Sequence, residues 1–137
     1  MIEGINISWS KTKKNIEHII EKYNFLILSI DTSQYIVNEE YKLELFDLNE
    51  MTQKYIKISE EEIKQRVEFI NYVRFSYNKL TSDERKIIYW TYFDKENKYD
   101  DRFIANNLGF SLGYYYIKKK EALIRFAFSL GVEEKQW

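Results

Sequence analysis

Apolar residues recur at helical spacing along most of the chain. Ile16, Ile19, Ile20, Tyr23, Ile27 and Ile30 share one face, while Lys13, Lys14, Glu17, Glu21 and Lys22 take the other. That period predicts an amphipathic helix from about Ser10 to Ile30, with Ser10 as its N-cap. Residues 31–58 break the pattern. Tyr35-Ile36-Val37 and Tyr41 to Phe46 read as strands, the second with alternation, and Leu48 to Tyr55 fits a short helix equally well. An irregular segment or a small β element is expected there, and hairpin, linker and packed loop stay open.

The helical period returns at Ser59. Ser59-Glu60-Glu61-Glu62 has the form of a capping box, in which the hydroxyl accepts from an amide and Glu62 reaches back. Ile63, Val67, Ile70, Val73 (or Arg74), Tyr77 and Leu80 then mark a long helix ending near Asn78 or Lys79. Thr81-Ser82-Asp83-Glu84 opens another, with Ile87, Ile88, Trp90 (or Thr91), Tyr92 and Phe93 as its apolar face. After a polar loop, a short helix runs from Asp100 or Asp101 to Leu108, with Phe103, Ile104 and Leu108 inward. Gly109 suits the left-handed position that ends a helix, Ser111 caps the last helix, and Gly131 stops it near Leu130. The expected fold is mainly α: an N-terminal helix, an irregular or small β middle, a long helix, then a helix-turn-helix at about 100–130. The expected division is 1–58 and 59–137.

Composition narrows the function. The aromatic share of 18% lets a chain of 137 residues bury a useful core. There is no cysteine, so disulfides, thiolate metal sites and a cysteine nucleophile are excluded. His18 is the single histidine and sits on a helix, which leaves zinc without a ligand set. Asp100-Asp101 and Glu60 to Glu62 read as helix starts rather than as acid pairs or metal ligands. No glycine-rich phosphate loop is present. Neither enzyme activity nor a cofactor is expected. No apolar run approaches a membrane span, and Met1 to Ser10 does not look like a signal peptide. A cytoplasmic protein without a membrane partner is expected.

Net charge is only −1, but its distribution is uneven. From Arg102 to Arg125 five basic residues face one acid, Glu121, a local net of +4. Such a stripe on one helix suits phosphate binding, although a solvated helix face would look the same. The adjoining pattern favours the first reading: a short helix, a three-residue connection with Gly109, then a capped helix. Ala105 would let the two helices approach, with Ile104, Leu108, Tyr115 and Ala122 filling the crossing. Any αα-corner would use the same residues.

Leu80-Thr81-x-x-Glu84-Arg85-x-Ile87-Ile88, Tyr92-Phe93, Ile104-Ala105-x-x-Leu108-Gly109-x-Ser111 and Ala122-Leu123 resemble region four of bacterial sigma factors. The whole layout is similar to the ArpU family of phage and prophage regulators. Thr12-Lys13-Lys14, Tyr115-Tyr116 and Phe126-Ala127 extend that likeness. It implies a DNA-binding regulator of late, lysis or packaging genes, working on double-stranded DNA and with host RNA polymerase as a further partner. Dimerisation stays open.

In a helix-turn-helix the second helix enters the major groove and the first crosses the backbone. The expected contacts are therefore Ser111, Leu112, Gly113, Tyr114, Tyr116, Ile117, Lys118, Lys119 and Lys120, with Arg102 and Asn106 on the preceding helix. Arg85 or Lys86 would add phosphate contacts. Helical phase turns Tyr115, the stem of Lys119, Ala122, Leu123, Phe126 and Ala127 inward. Leu112 and Gly113 stand where Arg, Gln or Asn usually reads a base. That oddity motivates a second reading, a sigma-like module that binds polymerase or another protein with little DNA contact.

Overall fold

The isoleucine face of the first helix becomes the floor of the core. The computed structural model describes residues 6–30, 39–47, 58–94 and 97–136. Its first helix, α1, spans Trp9–Ile30 and buries Ile16, Ile20, Tyr23, Ile27 and Ile30. It starts just before the expected cap: the amide of Thr12 already donates to the Ser8 carbonyl at 2.9 Å. Thr12 itself is buried, and its hydroxyl accepts from the amide of Glu134 at 3.1 Å. Around it Ile7 and Lys135 form an isolated antiparallel bridge, and Asn15 donates to the Val132 carbonyl at 2.9 Å.

Helix α2, Glu60–Asn78, lays Ile63, Val67, Ile70, Val73 and Tyr77 against α1. Its capping box is half formed. Ser59 accepts from the Glu62 amide, but the Glu62 carboxylate pairs with Arg66 at 3.1 Å instead of reaching back. Helix α3, Ser82–Ile88, has both halves of its box, between Thr81 and Glu84. It runs into a π-helical turn over Tyr89–Phe93, closed by the Asp94 amide on the Tyr89 carbonyl at 2.9 Å. The wider turn splits the aromatic cluster. Tyr89, Tyr92 and Phe93 pack into the main core, whereas Trp90 faces the smaller one described below. Helix α4 is Asp101–Leu108 and helix α5 is Leu112–Leu130. The described residues contain no strand, and the chain is mainly helical.

The strand-like run Tyr41 to Phe46 is not a strand: Tyr41 is left-handed at φ 61°, and within the run only Leu43 makes an isolated bridge. The Asn78 side chain accepts from the Leu43 amide at 2.9 Å and donates to the Leu43 carbonyl at 2.8 Å. Asn71 does the same for Phe46, at 2.8 and 3.0 Å. Seven residues apart, the two asparagines lie on one face of α2, and their amides clamp the chain to that helix at Leu43 and Phe46. This seats Leu43 in the core. Between them the buried Arg74 donates to the Glu44 carbonyl and to the Tyr23 hydroxyl, with its guanidinium over the Phe46 ring. Tyr35 to Val37 and Leu48 to Tyr55 lie outside the described residues.

Two cores result. The larger joins α1, α2, Leu43, Ile88, Phe93 and the second half of α5, from Ala122 to Leu130. The smaller comprises Ile87, Ile104, Ala105 and Tyr115, flanked by Trp90, Tyr99, Leu108, Phe110 and Leu112. Ala122, expected at the α4–α5 crossing, belongs to the larger core instead. Among the described residues no helix is long and apolar enough to cross a membrane.

Candidate nucleic-acid interface

Local signals alone build the α4–α5 unit. Asp100 caps α4 by accepting from the Phe103 amide at 2.8 Å. Gly109 ends it at φ 72°, a left-handed conformation that costs a residue with a Cβ about 1 kcal/mol or more. Ser111 caps α5 by accepting from the Tyr114 amide at 3.2 Å. Ala105 is buried, and the Phe110 amide closes back onto its carbonyl at 2.9 Å.

A polar tie then fixes one helix on the other. Asp101 Oδ1 accepts from the Tyr115 hydroxyl and from Lys119 Nζ, both at 2.9 Å. Partial burial works against the Asp101 carboxylate. The hydrogen bonds from Lys119 and Tyr115 and the Lys119 charge outweigh it, holding its pKa below the usual range. The Tyr115 phenol is pushed up, first by burial and then by the neighbouring carboxylate. Sequence reasoning took Asp101 only as a cap. The available signal was that Tyr115 and Lys119, four apart on α5, point the same way, and a second acid beside Asp100 faces them.

The eleven expected contact residues divide into three groups. On the outer face of α5 lie Gly113, Tyr116 and Ile117, the last two 50% and 54% exposed. Lys120 shares that face, 5.4 Å from the Trp9 ring. Arg102 and Asn106, one turn apart, form an exposed polar row on α4. A second group is partly committed. Ser111 spends its hydroxyl on the cap, and Tyr114 stands edge-on to Phe110 at 4.8 Å. Lys118 lies 3.7 Å from Glu121, a weak exposed pair that a phosphate could displace. The third group faces inward. Lys119 is held by Asp101, and Leu112, expected to point outward, is half-buried against the smaller core. Arg85 is buried, with its guanidinium on the Glu40 and Leu80 carbonyls, so it cannot reach a phosphate.

Phe103 is a further correction. It was expected inside, but it is 44% exposed and stacks on Tyr99 at 4.5 Å with the rings 7° apart. Ile104, its neighbour, takes the inward position. A separate apolar area missed by the sequence lies on α1, where exposed Phe25 and Leu28 rim a cavity of about 650 Å³ shared with Thr91 and Tyr92.

No protein-family model matches this chain, and neither does any curated protein or solved structure.

Proposed function

We propose that α4 and α5 form a helix-turn-helix that binds double-stranded DNA, and that the protein is a transcriptional regulator. One observation carries the reading. The first half of α5 packs through Tyr115 and leaves its outer face exposed, with Arg102, Lys118 and Lys120 around it. A helix is narrow enough to enter the major groove, and cations beside it would meet phosphates. Region four of sigma factors and the ArpU family supply the more specific proposal of phage late, lysis or packaging genes as targets, with RNA polymerase as a partner.

The test is fluorescence anisotropy with duplex DNA taken from immediately upstream of the coding sequence, across a range of salt. Binding should weaken linearly in log–log form. The triple variant Arg102→Ala, Lys118→Ala, Lys120→Ala should lower the slope by about 0.9 for each phosphate that is no longer neutralised. Lys119 is left intact because it holds α4 to α5. Absent binding at low salt, or an unchanged slope, would rule this reading out.

The exposed apolar Tyr116 and Ile117 favour a second reading, in which the same face binds RNA polymerase or another protein. Stoichiometric binding of purified polymerase, abolished in Ile117→Ala, without a DNA shift, would establish it.

A further inference from the structure

The outer face of α5 has an apolar centre. Gly113, Tyr116 and Ile117 form one stripe, being 0, 3 and 4 residues along the helix, with half-buried Leu112 behind it in the smaller core. None carries the amide, guanidinium or carboxylate that reads most base edges, and only the Tyr116 hydroxyl is polar. The stripe is not left over from packing, since Tyr116 and Ile117 are half exposed and a Cβ built on Gly113 meets nothing within 4 Å. Its flanks are cationic, with Lys118 and Lys120 on α5 and Arg102 on α4. A surface apolar at its centre and basic at its edges matches a groove floor that offers methyl groups between rows of phosphate. In the major groove of B-DNA that floor is thymine, whose C5 methyl is its one apolar group.

Resting on the duplex-DNA reading above, we infer that this helix selects its sites by burying thymine methyl groups against Tyr116 and Ile117, with Gly113 admitting the helix close to the base edges. The stripe from 113 to 117 spans four residues of rise, about 6 Å, which covers about two base steps at 3.4 Å. Two adjacent methyls are therefore in reach. Each contributes about fourfold in affinity on burial, so a pair contributes about fifteenfold.

The test uses four short duplexes: alternating A·T, the same with deoxyuridine for thymidine, alternating G·C, and the same with 5-methylcytosine. Deoxyuridine removes the methyl while keeping the hydrogen-bonding edge, and 5-methylcytosine adds a methyl at the equivalent ring carbon. Affinity should fall about fifteenfold from A·T to A·U and rise from G·C to its methylated form. Ile117→Ala should shrink both ratios while keeping the salt slope, and because Ile117 is half exposed, its thermal unfolding should match the parent. Salt-dependent binding with no methyl effect on either pair would overturn the inference and leave the DNA reading standing. Methyl effects unchanged in both Ile117→Ala and Tyr116→Ala would overturn the assignment to this stripe. Absence of binding to all four duplexes at low salt would remove the DNA reading and the inference together.

Discussion

The two halves of α5 belong to one unbroken helix but live in different surroundings. From Ala122 to Leu130 it contributes Ala122, Leu123, Phe126, Ala127 and Leu130 to the main core, between α1 and α2. From Leu112 to Lys120 only Tyr115 is fully buried, and it sits in the smaller core. The same backbone thus anchors at one end and presents at the other. A rigid helix transmits position well: up to ten residues beyond the anchor, the outer face is placed by backbone geometry at about 1.5 Å per residue, with Tyr115 on the opposite side steadying it. Side chains there are free to be chosen for what they touch. That freedom explains why Tyr116 and Ile117 stay exposed beside a well-packed core, and it predicts opposite responses to substitution in the two halves.

The largest effect is expected in the anchor. Phe126 is fully buried and meets the Tyr77 ring edge-on at 6.4 Å. Phe126→Ala should cost about 3–5 kcal/mol, from reduced burial plus the cavity left behind. Chemical denaturation would show the midpoint falling steeply. A loss below about 1 kcal/mol would mean that the anchor half is not anchored, and the contrast between the halves would collapse.

These contrasts were unequally legible beforehand. The caps at Thr81, Asp100 and Ser111 and the stop at Gly109 could be read because each depends on residues within four positions. The inward phase of α5 followed from spacing in the same way. The path of residues 39–47 could not, because its partners Asn71 and Asn78 lie 25 and 35 positions away. An asparagine on a helix face usually reads as solvent-facing, and nothing local says that its amide will hold another segment of the chain. The partners of Arg74 were hidden likewise: charged residues are seldom buried, and this one is surrounded by a phenol from α1 and by a carbonyl and a ring from residues 39–47. In the candidate site, exposure of the apolar stripe followed from phase. Phase turned the stem of Lys119 inward, but the groups that hold Lys119 and Arg85 away from phosphate did not follow from it, since each is distant in sequence: Asp101 for one, the Glu40 carbonyl for the other.

A middle-sized effect should come from the tie that orients the presenting half. Asp101→Asn removes the charge that Tyr115 and Lys119 both address. The expected cost near neutral pH is about 1 kcal/mol, below the usual range for charged hydrogen bonds because the carboxylate is a third exposed. The pH dependence has a definite sign. The folded pKa is lowered, so the stabilisation is fully present above the ordinary carboxylate value of 3.8 and is lost as pH falls through the folded value. Unfolding curves of the parent and of Asp101→Asn should therefore converge below about pH 4 and separate above it. Parallel curves across that window would show that the tie is geometric only.

The smallest change in stability, and the one that most sharpens the contrast, is expected at Gly113. It lies in the first turn of α5, exposed, in a helical conformation, with open space where a Cβ would go. For the fold alone, alanine is the better residue there: glycine in a helix interior is about 1 kcal/mol less favourable, and the first turn shows part of that. Gly113→Ala should therefore raise the melting temperature slightly. Under the DNA reading the added methyl stands between the helix and the base edges, so affinity for the A·T duplex should drop while stability rises. In the anchor half stability and function fall together, as for Phe126→Ala, so opposite signs at Gly113 would identify a residue kept for contact rather than for folding. Equal affinity in Gly113→Ala would show that the helix does not approach the bases closely at this position, and the contact surface would then have to begin at Tyr116.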